Sequence, residues 1–129
     1  ETIITKINDF HFGLSICYDL RFPELYRQYG KQKVDVLINI ANWPDTRIEH
    51  WDALLKARAI ENQCYMVGVN RVGDDKYLHY PGHSSVISPM GKVITSIYDE
   101  KIEIVEIEKS KVLTLQKNLP FLDDIKLIK

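Results

Sequence analysis

Apolar residues recur along this chain in three rhythms, and each rhythm predicts a different element. The runs "TIITKI" and "FHFGLSIC" flank Asn8-Asp9 and read as two strands joined by a tight hairpin. "VDVLINIA" and "CYMVGVN" are almost continuously apolar, as strands buried on both faces are. "KIEIVEIE" alternates strictly, which predicts a half-exposed strand. Between the strands, "FPELYRQYG" predicts a helix entered at Pro23 and stopped at Gly30. In "TRIEHWDALLKARAIENQ", Thr46 and Glu49 have capping-box spacing, and Ile48, Trp51, Leu55 and Ala59 form one apolar stripe. Asp52 and Lys56 sit four apart on that helix in the favourable order. "RVGDDKYLHYPG" reads as a polar loop, "HSSVISPMGKVITSI" as a hairpin turning at Pro-Met-Gly, and "SKVLTLQKN" as a helix capped by Ser110. The closing "LPFLDDIKLIK" follows no period.

The predicted order is β-α-β-α-β followed by antiparallel strands, an α/β fold in one domain. Strands joined by helices run parallel through right-handed crossovers, and ligands bind along the carboxyl edge of such sheets. Cys17 ends the first of these strands, Asn42 and Trp43 follow the second, and Asn70 and Arg71 follow the third. The three strand ends are expected to converge on one mouth.

Cys17 stands where a strand hands over to a helix. A thiol at a helix start feels the positive end of the helix dipole, which favours the nucleophilic thiolate. The backbone N–H of Tyr18 follows directly and is placed to receive an oxyanion, as acyl transfer through a thioester requires. Position alone favours the plainer reading of Cys17 as an inert core thiol. Cys64 lies inside an apolar strand and reads as core. His79 and His83 are separated by Pro81 and Gly82, so they form no helical ligand pair, and no metal site is expected. His11 belongs to a strand's exposed face, His50 is ambiguous, and Arg58 with Glu61 reads as a structural ion pair. The acidic residues of "KIEIVEIE" read as a solvated face rather than a binding site.

Composition narrows the classes. The 129 residues are 45% hydrophobic and 27% charged, as a globular domain is, and the net charge of -1 with no basic cluster argues against nucleic-acid or membrane partners. No apolar run approaches the ~18 residues of a membrane span. Two cysteines are too few for a disulfide framework, so a reduced, cytoplasmic setting is expected. The chain begins at Glu1 rather than Met, and is expected to be a piece of a longer polypeptide.

Several segments carry a resemblance to a known family. "GLSICYDLRFPELYR" resembles the nucleophile segment of the nitrilase (carbon–nitrogen hydrolase) superfamily. "ANWPDTRIEHWDALLKARAIENQCYMVGVNRVG" and "GHSSVISPMGKVI" resemble the segments that follow it, in order and at matching spacing. The likeness is greatest to omega-amidase-like members, which release ammonia from the terminal amide of 2-oxo acids such as 2-oxoglutaramate. It implies an α-β-β-α sandwich, a homodimer, no cofactor or metal, and a Glu-Lys-Cys triad. Of that apparatus, Cys17 maps as nucleophile and Tyr18 as oxyanion donor. The family's glutamate and lysine precede the cysteine, so residues 1–129 are expected to be the carboxy-terminal part of one hydrolase domain, inactive alone.

Asn42, Trp43 and Arg47 are the candidates for binding a small amide substrate. Arg47 is favoured over Arg71 for a substrate carboxylate, because its loop should overhang the mouth. Asp19, Arg21 and Glu24 are expected to organise the turn around Cys17, with Arg58 and Glu61 as support. Two rival classes are a Cys-His hydrolase using His50, His79 or His83 as base, and a non-catalytic binding protein of the same fold.

Overall fold

The computed structural model describes residues 1–128. Six strands form one sheet in the order β1 (Ile4–Ile7), β2 (Phe10–Ile16), β3 (Val36–Ala41), β4 (Tyr65–Asn70), β7 (Ser84–Ile87) and β8 (Val93–Ile97). Strands β2, β3 and β4 are parallel and the flanking pairs antiparallel. The crossovers are α1 (Pro23–Lys31) and α2 (Ile48–Asn62); α3 (Lys109–Asn118) follows the sheet. Strands β5 (Val72–Asp74) and β6 (His79–Pro81) make a separate hairpin within the segment expected to be an irregular loop.

The two sheet faces are covered differently. On one, Leu37 and Met66 pack beneath Tyr26, Tyr29, Trp51, Leu55 and Ala59 of α1 and α2, so the predicted stripe of α2 is the buried one. Gly68 permits this approach: a Cβ there would lie 2.6 Å from Leu55 and 2.8 Å from Trp51. On the other face, Val36 and Tyr65 pack against Val112 of α3, with Phe10, Phe12, Ile38 and Val67 around them. That covering stops short of the carboxyl ends of the strands. Leu14, Ile16, Ile40 and Val69 continue the same face and are exposed.

Four local expectations need correction. Gly30 does not stop α1, which continues to Lys31; Gly30 is buried against Asn62, whose Oδ1 would lie 2.4 Å from any Cβ. Thr46 does not cap α2, because residues Asp45–Arg47 form a 3-10 turn and the helix starts at Ile48 without a side-chain cap. Ser110 lies inside α3, whose cap position is Glu108. "KIEIVEIE" is not a strand among the described residues, and Ile102 and Ile104 are exposed. Alternation suits a pleat, but a strand also needs a neighbouring edge to satisfy its backbone groups.

Candidate active site

Ile16, Ile40 and Val69 lie side by side across β2, β3 and β4, so the chain leaves all three strands at one edge. Cys17 sits there at φ +43°, in the left-handed region. For a residue with a Cβ this conformation costs on the order of 1–2 kcal/mol, and it persists only where surrounding contacts over-determine it. Those contacts are visible on both sides. Asp19 Oδ2 accepts the Ile16 N–H at 2.9 Å, closing the turn from within. Arg58 Nε and Nη2 donate to the Leu20 carbonyl at 3.1 and 2.6 Å, holding it from beneath.

Cys17 opens a short turn of its own rather than the following helix. Cys17–Arg21 is a five-residue 3-10 turn, and α1 starts only at Pro23, whose missing N–H and fixed φ suit a first helical position. The dipole available to the thiol is therefore that of a short turn, smaller than a full helix N-terminus would supply.

Below the turn, Ser15, Tyr26 and Asn39 form a buried polar network. Ser15 Oγ and the Tyr26 hydroxyl are 2.7 Å apart, and Asn39 Nδ2 donates to both at 3.1 Å. Ser15 Oγ in turn donates to the Ile38 carbonyl. Burial pushes the Tyr26 hydroxyl above its ordinary value. The network ties α1 and β3 to the strand that delivers Cys17.

Two cavities meet at Cys17. One, of about 520 Å³, is lined by Cys17, Tyr18, Arg21, Asn42, Trp43, Pro44, Arg47 and His50. The other, of about 440 Å³, lies over the bare carboxyl edge and is lined by Ile16, Cys17, Asn42, Asn70 and Arg71 among others. Among the described residues, neither is lined by a carboxylate or a lysine. Among the described residues no group of three His, Cys, Asp or Glu side chains could hold a metal ion.

The Asn-Trp-Pro loop is shaped by Asn70. Its Oδ1 accepts the Trp43 N–H at 2.7 Å and its Nδ2 donates to the Trp43 carbonyl at 2.9 Å. Trp43 is buried, so it forms the cavity wall rather than a protruding contact; its Nε1 donates to the Arg47 carbonyl. Arg47 and Asn42 are exposed on the rim. Arg71 is already engaged, with its guanidinium 4.4 Å from the Tyr80 ring centroid and 3.9 Å from Asp75. Arg47 forms no ion pair among the described residues.

The supporting residues separate on inspection. Asp19 and Arg58 hold the turn directly, and Glu61 pairs with Arg58 at 3.1 Å. Glu24 is exposed in the first turn of α1 and makes no side-chain hydrogen bond or ion pair among the described residues, so it does not organise the turn as expected. Arg21 lines the cavity itself, with its guanidinium 4.7 Å above Trp43 and against His50. The sequence offered one signal for Arg21: it stands four residues after the cysteine, in the same turn. His79 and His83 pair instead with Asp74 and Asp52, and neither lines a Cys17 cavity. Cys64 is fully buried, and burial pushes its thiol far above the ordinary range.

Comparison with known proteins adds four findings. The family model described as carbon-nitrogen hydrolase matches residues 1–115. The chain is 41% identical over 113 residues to a protein named "Hydrolase in agr operon" from Staphylococcus aureus, covering 87% of this chain and 43% of that protein. It is 39% identical over 112 residues to a 2-oxoglutaramate amidase from Bacillus subtilis, covering 86% of this chain and 43% of that one. The chain thus spans less than half the length of these relatives. In three dimensions it matches a CN-hydrolase superfamily protein from Xanthomonas campestris, crystallised with an arsenic adduct in its active site. That match has a TM-score of 0.89 and 31% identity, covering 98% of this chain and 51% of that one.

Proposed function

This chain belongs to the carbon–nitrogen hydrolase family, and from that premise we propose that it supplies the nucleophile of a thiol amidase. The substrate is the terminal amide of a small 2-oxo acid, of which 2-oxoglutaramate is the example. The observation that carries the reading is Cys17, held at positive φ where two cavities meet, with Arg47 exposed on the rim.

Each residue has a role in that reaction. The Cys17 thiolate adds to the amide carbon, and the Tyr18 N–H donates to the oxygen that gains the charge. The amide nitrogen takes up a proton and leaves as ammonia. Water then adds to the thioester and releases the acid and the thiol. Arg47 donates to the substrate carboxylate from the rim, while Asn42 and Trp43 form the wall beside it.

Protonating ammonia's nitrogen and activating water both need an acid–base group. Among the described residues no carboxylate or lysine lines either cavity, so that group comes from outside residues 1–128 in this proposal. The Glu and Lys of the family triad would fill those roles, and these residues would be the carboxy-terminal part of the hydrolase domain. Lacking the acid–base group costs about 10²–10⁴-fold in rate, and lacking one oxyanion donor about 10²–10³-fold. A cytoplasmic homodimer belongs to the same proposal. Among the described residues no helix is long and apolar enough to cross a membrane.

The test is ammonia release from 2-oxoglutaramate. The full-length protein is expected to turn over, its Cys17→Ala variant is not, and residues 1–129 alone are expected to be inactive. Turnover by the isolated chain comparable to that of the full-length protein would place the acid–base group within these residues and remove the triad from the proposal.

A further inference from the structure

Arg58 is nearly the deepest charge in the molecule, with 3% of its surface exposed, yet only part of its hydrogen bonding goes to a carboxylate. Nη1 donates to Glu61 Oε1 at 3.1 Å. Nε and Nη2 both converge on one backbone oxygen, the carbonyl of Leu20, at 3.1 and 2.6 Å. Leu20 is in the 3-10 turn that Cys17 opens, and its own side chain is buried in the core.

The same guanidinium also reaches the other side of the cysteine. Its Cζ lies 5.2 Å from the centroid of the Tyr26 ring. The hydroxyl of that ring is bonded to Ser15, two residues before Cys17. One buried side chain on α2 therefore touches the turn after Cys17 and stacks on the ring that anchors the strand before it. Between these two supports lies a backbone at φ +43°, a conformation that relaxes unless something opposes it.

We propose that Arg58 is a positioning residue for the Cys17 thiol: by forking onto the Leu20 carbonyl it keeps the cysteine in its left-handed conformation and its sulfur at the mouth. This rests on Cys17 being the nucleophile. A planar fork with two donors aimed at one acceptor is what guanidinium offers and ammonium does not. A nucleophile displaced by about 1 Å loses on the order of 10²-fold in rate.

The experiment compares Arg58→Met and Arg58→Lys in the full-length protein, with Val112→Ala as a destabilised control on the opposite sheet face. Turnover of 2-oxoglutaramate is measured well below each melting temperature. Arg58→Met is expected to lower kcat about 100-fold and Arg58→Lys about 10-fold, with KM within about twofold in both. The control should lose melting temperature but keep kcat. In parallel, the rate of Cys17 alkylation by iodoacetamide should fall at least about fivefold in both Arg58 variants. The Lys variant retains the charge, so slowing there reports position rather than field. Alkylation needs no turnover, so it tests whether Arg58 holds the thiol in place separately from whether the thiol is the nucleophile; an active Cys17→Ala variant would overturn the amidase reading and with it the catalytic sense of the tie. Folded Arg58 variants with wild-type kcat and wild-type alkylation overturn the proposal. So does failure of both variants to fold, which would make Arg58 a requirement of folding instead.

Discussion

Both terminal nitrogens of Arg21 lie 3.3 Å from Nδ1 of His50, at the wall of the cavity that Cys17 lines. A guanidinium only donates, so Nδ1 is the acceptor and the ring proton sits on Nε2. In that tautomer Nδ1 is turned to Arg21 and Nε2 is a donor, so the ring offers the cavity no acceptor.

His50 is accordingly expected to be dispensable as a base. His50→Gln in the full-length enzyme should keep kcat within about tenfold of wild type, since a true general base supplies about 10²–10⁴-fold. A steady-state comparison at several pH values decides this. A loss of three orders of magnitude, together with disappearance of the acidic limb of the profile, would return His50 to the role of base.

Arg47 should govern affinity for charged substrates. Charge-assisted hydrogen bonds contribute about 1.5–3 kcal/mol, so Arg47→Ala is expected to raise KM for 2-oxoglutaramate roughly 10–100-fold. KM for a neutral amide of similar size should change little. Parallel kinetics on the two substrates provide the check, and equal effects on both would take Arg47 out of the site.

The two thiols should react at very different rates. Cys17 is partly exposed at the mouth, whereas Cys64 is enclosed in the core with its thiol held protonated by burial. Brief treatment of the folded protein with iodoacetamide at neutral pH should label Cys17 first. Peptide mapping that finds Cys64 modified while Cys17 is protected would contradict the placement of both.

Cys64 also predicts an alkaline limit to stability. Its folded pKa is raised, so the unfolded chain loses this proton above about pH 8.5 while the folded chain keeps it. The contribution is complete below that pH and declines above it by about 1.4 kcal/mol per pH unit. Urea melts of wild type and Cys64→Ala between pH 7 and 10 should show the steeper decline in the wild type. The variant should start lower at pH 7, because it opens a small cavity. Parallel pH profiles would refute the linkage.

Elements whose signal is local are legible in the chain alone. Continuous apolar runs marked β3 and β4, a 3.6-residue stripe marked the buried face of α2, and Asn8-Asp9 and Pro-Met-Gly marked two hairpins. The sequence also placed Cys17, Asn42 and Asn70 at the ends of adjacent parallel strands, because right-handed crossovers leave few other arrangements. Apart from the two misplaced helix caps, the departures share a physical cause: each depends on a group distant in the chain. Gly30 looks like a helix stop until Asn62, thirty-two residues on, is packed against it. "KIEIVEIE" carries a strand's pattern, yet pairing needs a partner edge that the pattern cannot supply. Arg21 and Glu24 look alike as polar residues near the cysteine. Only the tertiary structure turned Arg21 onto Trp43 and His50 and left Glu24 in solvent. Arg58 looked like half of an ion pair, because Glu61 is three residues away and visible in the sequence. Its grip on the Leu20 carbonyl is a contact with backbone, and backbone carbonyls are alike in every sequence; which one a guanidinium meets is decided by how α2 crosses the sheet.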